Sequence, residues 1–305
     1  MASDTKTPVV LCWHMHQPSY LDMRTNQFLF PWVYLHTIKD YSDMAAHLES
    51  NPEARAVVNF APVLLEQIET YLIQIERWRH GAGEIGDPLL AALVAEELPE
   101  TGTPAFLGLM EKSLRANRER IINRYPAFAR LAELADVFRR KPELQRYISR
   151  RFLSDLLVWY HLGWMGETIR RKSHCIQSLQ EKGHNFSMDD RRALLDVIFD
   201  VLSGIGPRYM PDIILPAHSD YPGGEARAGW QLQEAKTVFQ RFFGLEPCGC
   251  WASEGGLSAA TLGLLEDHQF RWTASGDSVV HNSLNRARET NPELPDYGIH
   301  RPYTF

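Results

Sequence analysis

The sequence predicts an α/β protein, built either as a parallel β/α barrel or as an open α/β sheet, with a large helical insertion. Short apolar, β-rich runs alternate with helix-length stretches near both ends of the chain, as expected for buried parallel strands joined by helices. Between them, residues of about 63–205 have the pattern of long amphipathic helices. In either architecture, functional residues follow the carboxyl ends of the strands.

The chain starts with a strand–helix–strand pattern. Residues 8–13 form a short apolar run that predicts the first strand. Ser42 is placed to cap a helix that stops near Asn51 and Pro52. The run AVVNF at 56–60 then predicts the second strand.

The helical insertion carries its own boundary signals. The prolines that divide its helices are Pro88, Pro126 and Pro142. Ser187 and Asp190 stand at capping-box spacing before the last amphipathic run. Trp159 and Trp164 lie among leucines at helical spacing, so we expect both indoles to be mostly buried.

Alternation of strands and helices resumes after the insertion. Apolar runs at 212–216, 248–252 and 270–274 predict three more buried strands, separated by helices at 224–243 and 258–268. We expect these strands to lie parallel in one sheet with the first two.

Composition limits the functional classes. The 305 residues are 44% hydrophobic and carry a formal net charge of −6 without a basic stripe, which argues against a nucleic-acid partner. No run approaches the 18 apolar residues of a membrane span, and the first residues lack a secretory signal, so we expect a cytoplasmic protein without a membrane partner. The four cysteines are interpreted as buried thiols rather than metal ligands.

Two histidines follow the first predicted strand. His14 and His16 are two residues apart, so they face the same way if the strand continues to them. Two imidazoles on one face suit a metal or a polyhydroxylated ligand. They are also compatible with a structural pair packed beside Trp13 at the end of the strand.

One carboxylate, Glu254, follows the strand predicted at 248–252 and is flanked by small residues. A glycosidase needs a carboxylate with steric access to an anomeric carbon, and the aromatic face of Trp251 suits the C–H surface of a sugar. A surface glutamate at a loop–helix junction is the alternative. We expect Glu254 and His16 to lie at the same edge of the sheet.

Aromatic residues with hydrogen-bonding neighbours also surround Trp32 and Trp230, in the stretches FLFPWVYLHTIKDY and SDYPGGEARAGW. That combination fits carbohydrate recognition on β/α loops. Packing of Trp32 in the core and of Trp230 on a helix remains an alternative.

Several motifs in order resemble the N-terminal catalytic region of glycoside hydrolase family 57. They are CWHMHQP, PWVYLHTIKDY, GEIGDPLL, DLLVWYHLGWMGE, YPGGEARAGW, GCWASEGGLS and RWTASGDSVVHNSL. The resemblance spans essentially the whole chain. It implies an incomplete (β/α)7-type barrel, α-glucan substrates and a retaining mechanism with a glutamate nucleophile and an aspartate acid/base.

The resemblance also assigns site residues. Glu254 matches the nucleophile of the family's Trp-x-x-Glu motif, and His16 with Gln17 matches its His-Gln-Pro motif in the substrate site. His14 and Trp251 are expected to line the same site. Trp32 is a further candidate for substrate binding. No metal and no cofactor are predicted.

Two departures from the family pattern matter for function. The family's Gly-Gln-x-Glu segment is missing before the stretch GPRYMPDIILPAHSDYPGG. The family's catalytic aspartate follows a segment resembling HRPYTF, so we expect the acid/base beyond Phe305 and interpret residues 1–305 as one partial barrel domain. Asp220 and Asp277 do not match the acid position. Asp277 is expected to position the nucleophile or a sugar hydroxyl.

The sequence therefore predicts a retaining glycoside hydrolase or transglycosylase of α-glucans, such as an amylase, a 4-α-glucanotransferase or a branching enzyme. A catalytically incomplete glucan-binding or scaffolding remnant is the alternative. A metal-dependent carbohydrate deacetylase is a third hypothesis, resting on His14 and His16 alone.

Overall fold

A computed structural model describes residues 11–205, 212–215, 224–252 and 255–292, with the backbone alone for 212–215, 224 and 290. The strands are β1 (Cys12–Met15), β2 (Leu21–Asp22), β3 (Gln27–Phe28), β4 (Val57–Phe60), β5 (Asp212–Leu215), β6 (Gly249–Ala252) and β7 (Trp272–Ala274). The first ten α-helices are α1 (Trp32–His36), α2 (Ser42–Glu49), α3 (Pro62–Arg79), α4 (Pro88–Val94), α5 (Pro104–Lys112), α6 (Pro126–Arg140), α7 (Arg150–Trp164), α8 (Glu167–Lys172), α9 (His174–Lys182) and α10 (Met188–Gly204). They are followed by α11 (Gly224–Phe243), α12 (Ala259–Asp267) and α13 (Asp277–Thr290).

The chain divides into two compact units. The sheet unit consists of Met1–His16, Arg55–Glu66 and Tyr209–Phe305, and the helical unit consists of Gln17–Ala54 and Gln67–Arg208. The protein is thus mixed α/β and mostly helical, with a small set of parallel strands. The grouping of residues 1–305 into one partial barrel domain stays a prediction.

The sheet unit contains a five-stranded sheet in the order β1–β4–β5–β6–β7, and all its neighbouring strands are parallel. This confirms the predicted alternation of parallel strands and helices. Helices α11 and α12 cover one face, where their apolar side chains pack with Cys250. That core cluster contains Ala228, Leu232, Ala235, Phe239, Cys250, Leu264, Leu265 and Phe270.

Two details near the start of the chain correct the sequence prediction. The first strand runs to Met15 rather than stopping at Trp13, because His14 and Met15 pair with β4, and residues 8–10 lie outside the described part. Ser42 is buried and has helical dihedrals, so it is not a cap. A π-helical segment, Thr37–Tyr41, instead joins α1 to α2 without a break.

The cysteine prediction was mostly wrong. Cys250 is buried in the core of the sheet unit, whereas Cys12 and Cys248 are exposed and Cys175 is half-buried. Cys12 opens an edge strand, and Cys248 immediately precedes β6, so neither position is enclosed by the helices that cover Cys250.

The helical unit follows its sequence signals closely. Pro88 and Pro126 begin α4 and α6, where a missing N–H costs no hydrogen bond. Ser187 and Asp190 form the predicted capping box at the start of α10. Trp159 and Trp164 are 5% and 7% exposed, as predicted. No helix in the described ranges is long and apolar enough to cross a bilayer.

Candidate active site

The two faces of the parallel sheet differ in chemistry because side chains alternate along each strand. Met15, paired with Phe60, and Cys250 belong to the buried apolar face. By the same alternation His14, which pairs with Asn59, shares the opposite face with Trp251. The strand alternation therefore gathers imidazole, amide and indole groups on one side of the sheet.

His14 is held in place by a buried amide. Its Nδ1 lies 2.8 Å from Oδ1 of Asn59, whose side chain is 1% exposed. Because an amide oxygen can only accept, this contact places the proton of a neutral His14 on Nδ1 and leaves Nε2 as an acceptor. Asn59 thus fixes both the orientation and the tautomer of the imidazole.

His16 lies beside His14 on the same face. The ring centroids are 5.6 Å apart and the planes are within 14°, so the two imidazoles are stacked, as the spacing predicts. Partial burial, followed by repulsion from His14, lowers the pKa of His16. A neutral His16 can donate one hydrogen bond and accept another, which suits a hydroxyl group.

Indoles extend this face. The ring centroid of Trp251 is 6.2 Å from that of His14, with 24° between the planes, although two strands separate β1 from β6. At about 4.8 Å per strand a flat sheet would separate the backbones by roughly 14 Å, so the two side chains converge over the sheet. Trp272 on β7 covers Gly249, where an added Cβ would lie 2.1 Å from the indole. Only glycine leaves room for that ring.

Gly255, which lies shortly after β6, is anchored to residues that follow β7. Ser253 and Glu254 lie outside the described residues, but Gly255 directly follows them. The Gly255 backbone has φ of +67°, and its carbonyl accepts a hydrogen bond of 2.5 Å from Ser275 Oγ. A Cβ at Gly255 would also lie 2.9 Å from the backbone nitrogen of Gly276.

Asp277 is exposed at the first position of α13. Its Oδ1 accepts from the backbone N–H of Ser278 at 2.7 Å. An acidic group there interacts favourably with the N-terminal end of the helix dipole. The predicted role of Asp277 toward the nucleophile or a sugar stays a prediction.

Two predicted substrate residues belong to the helical unit. Gln17 accepts a hydrogen bond of 3.1 Å from the hydroxyl of Tyr20. Trp32 begins α1, is half-buried, and packs with its ring centroid 5.9 Å from that of Trp164. The position of Trp32 is therefore compatible both with packing in the core and with substrate binding.

The side chains of His36 and Lys39 lie beside the Trp164 ring in the same unit. His36 Nδ1 lies 2.6 Å from Asp40 Oδ2, and the Lys39 ammonium also pairs with Asp40. Burial alone would raise the pKa of Asp40, but hydrogen bonds from His36 and Lys39 outweigh it and lower the pKa. Asp40 is therefore an ionised carboxylate that is already paired with His36 and Lys39.

The family model of glycosyl hydrolase family 57 matches residues 10–199, which is more than half of the chain. The chain belongs to this family. The family 57 chain is also similar to the crystal structure of the novel alpha-amylase AmyC from Thermotoga maritima, with 12% identity and a TM-score of 0.39. That similarity covers 87% of this chain but only 38% of the other. No curated protein matches the chain.

The structure brings some predicted residues of this family 57 chain together. His14, His16 and Trp251 share one face of the sheet unit, whereas Gln17 and Trp32 are described within the helical unit. Glu254 and Asp220 lie outside the described residues, so the expected meeting of His16 and Glu254 stays a prediction.

Two residues of this face were missed at the sequence level. Asn59 is the single polar residue in the run AVVNF, a signal that could have marked it. Trp272 shares its face with Trp251, which follows only from the register between β6 and β7. Within the described ranges, no group of three His, Cys, Asp or Glu side chains is arranged to hold a metal ion.

Proposed function

We propose that this family 57 chain is a retaining glycoside hydrolase or transglycosylase of α-glucans. The observation that carries the proposal is the convergence of His14, His16 and Trp251 on one face of a parallel sheet. Indole faces match the C–H surfaces of sugar rings, and imidazole nitrogens match their hydroxyl groups. Family membership supplies the reaction class.

Glu254 is the proposed nucleophile. It stands two residues beyond the last residue of β6, Ala252, and functional groups in parallel α/β sheets follow the carboxyl ends of strands. In a retaining mechanism the carboxylate attacks the anomeric carbon and forms a glycosyl-enzyme, which water or a second sugar then resolves. A second carboxyl group about 5 Å away must protonate the leaving oxygen.

The remaining residues serve binding in this proposal. His14, oriented by Asn59, and His16 hydrogen-bond glucan hydroxyls, while Trp251 stacks on a sugar ring. Within the helical unit, Gln17 and Trp32 are proposed to bind sugar as well. The sheet is proposed to belong to an incomplete seven-stranded barrel.

The test uses a substrate that needs no acid. An aryl α-glucoside with an activated leaving group departs without a proton, so its cleavage reports the nucleophile alone. We expect a burst of released aryl alcohol and a glycosyl-enzyme detectable by mass spectrometry. Glu254→Gln should abolish both, while Glu266→Gln, a matched loss of one exposed carboxylate on α12, should retain the adduct.

Two results would decide against this assignment. Equal bursts from the unchanged chain and Glu254→Gln would exclude Glu254 as the nucleophile. If no adduct forms but maltooligosaccharide binds saturably, the result would indicate a glucan-binding protein that lacks catalysis.

A further inference from the structure

The helical unit contains an open, positively charged cavity. Its volume is about 420 Å³, and it lies beside α8 and α9. The cavity is lined by Arg124, Tyr125, Glu167, Arg170, Arg171, Gln177 and Gln180. Three guanidinium groups therefore face a single carboxylate.

Glu167 is shared by all three arginines. Its Oε2 accepts from Arg124 Nη2 at 2.8 Å and pairs with Arg170, and its Oε1 accepts from Arg171 Nε at 3.1 Å. Asp43 is a second carboxylate beside them: it accepts from the backbone N–H groups of Glu167 and Thr168 at 2.7 and 2.9 Å, and its charge acts on Arg170. Glu167 and Asp43 together balance two of the three cations, so about one positive charge remains for a ligand.

Arg170 is the least solvated of the three cations. Its side chain is 8% exposed, against 52% for Arg124 and 76% for Arg171. Its guanidinium lies 5.6 Å from the ring centroid of Tyr125, and that of Arg124 lies 5.7 Å from the same ring. Burial, and then the charges of Arg124 and Arg171, lower the pKa of Arg170 to about 10 against the opposing charge of Asp43.

The surroundings hold these side chains in place. Gln177 Nε2 donates to the carbonyl of Arg171 at 2.7 Å and satisfies the C-terminal end of α8. Tyr125 packs on Trp159, with ring centroids 5.6 Å apart, and its buried hydroxyl has no hydrogen-bond partner among the described residues.

We propose that this cavity binds a phosphate monoester of a small organic molecule. A phosphate monoester carries about −1.5 to −2 charges at neutral pH, which is opposite in sign to the excess charge of the cavity. Guanidinium groups bind phosphate oxygens in bidentate geometry, and the cavity is large enough to hold an organic group as well. This inference does not depend on the glycosidase proposal.

The experiment is isothermal titration calorimetry of the full chain at low ionic strength. The probes are inorganic phosphate, glycerol 3-phosphate and glycerol, which separate the phosphate group from the organic part and avoid the sugars of the proposed active site. We expect saturable binding of glycerol 3-phosphate, weaker binding of inorganic phosphate and none of glycerol. Arg124→Gln should weaken phosphate binding by roughly tenfold or more, as expected for a charge-assisted hydrogen bond.

Two matched variants separate a site from general charge effects. Arg139→Gln removes an exposed, ion-paired arginine of the same unit and should change the affinity by less than about twofold. Glu167→Gln removes the competing carboxylate and should tighten phosphate binding several-fold. If circular dichroism shows that Arg124→Gln is misfolded, Arg171→Gln, at the most exposed of the three arginines, replaces it.

The proposal is overturned by any of three results. The first is the absence of saturable phosphate binding up to about 10 mM. The second is an equal loss of affinity in Arg124→Gln and Arg139→Gln, which would indicate screening by net charge. The third is weaker binding in a folded Glu167→Gln protein, which would identify the arginines as a structural network.

Discussion

Acidification should destabilise the helical unit through one buried imidazole, His161. The ring is fully buried, with Nδ1 2.7 Å from the Leu157 carbonyl and Nε2 3.0 Å from the hydroxyl of Tyr34. A carbonyl can only accept, so Nδ1 carries the proton of the neutral ring and Nε2 accepts from Tyr34. Protonation would remove that acceptor and place a charge in the core.

The size of this loss of stability follows from the pKa of His161. Burial lowers the pKa of His161 from 6.5 to about 4, against a smaller opposing effect of its hydrogen bond to Leu157. Between these two pKa values the unfolded chain binds a proton that the folded chain does not. The contribution of neutral His161 to the free energy of unfolding is therefore complete above pH 6.5 and falls as the pH is lowered. At 1.36 kcal/mol per pKa unit, the loss reaches about 3 kcal/mol near pH 4.

A second group titrates in the opposite sense. Burial raises the pKa of Asp87 to about 6, despite hydrogen bonds from the backbone of Leu90 and Leu89 that lower it. Its contribution to stability is therefore lost as the pH rises through about 6. The raw pH profile of the protein mixes both effects, so His161 must be isolated by difference.

The assay compares the unchanged chain with His161→Gln, which keeps a neutral hydrogen-bonding group and does not titrate. Urea unfolding followed by far-ultraviolet circular dichroism gives the free energy of unfolding of each protein from about pH 7 to about pH 4.5. The difference between the two proteins should shrink by about 2–3 kcal/mol on acidification. A difference that is constant with pH would refute the neutral, buried assignment of His161.

Three further substitutions test local features. Gly249→Ala should lower the free energy of unfolding by about 1–3 kcal/mol, because the new methyl group meets the Trp272 indole; an unchanged urea midpoint would contradict this contact. Ser187→Ala should cost about 1 kcal/mol by removing the capping box of α10, measured by the same unfolding. Asn59→Leu should weaken maltooligosaccharide binding roughly fivefold in calorimetry by releasing His14, and equal affinity would show that this tautomer is irrelevant to binding.

Local sequence patterns predicted most of the architecture because the relevant signals are short-range. The helix predicted at 224–243 has the bounds of α11, and the predicted capping box at Ser187 begins α10. The strand at 56–60 differs from β4 by one residue. Apolar runs, prolines and caps act within a few residues, so one sequence is enough to locate them.

Contacts between distant residues could not be derived in this way. Asn59 is hydrogen-bonded to His14, which is 45 residues away in the sequence, and Arg170 packs on Tyr125, which is also 45 residues away. The helical continuity from Trp32 to Glu49 was also missed, since Ser42 has the side chain of a cap but is placed mid-helix by the π-helical segment before it. Residue type sets what a side chain can do, while tertiary packing decides which partner it meets.

The buried face of the sheet decides the composition of the candidate site. Because strand side chains alternate, a slip of one residue in β1 would exchange Met15 for His14 at the apolar core. Met15 is fully buried and pairs with Phe60, and Cys250 is buried in the same way on β6. Burying an imidazole there without a partner would cost several kcal/mol, so the apolar residues fix the register. The alignment of His14 with Asn59, and its convergence with Trp251, are consequences of the packing on the opposite face.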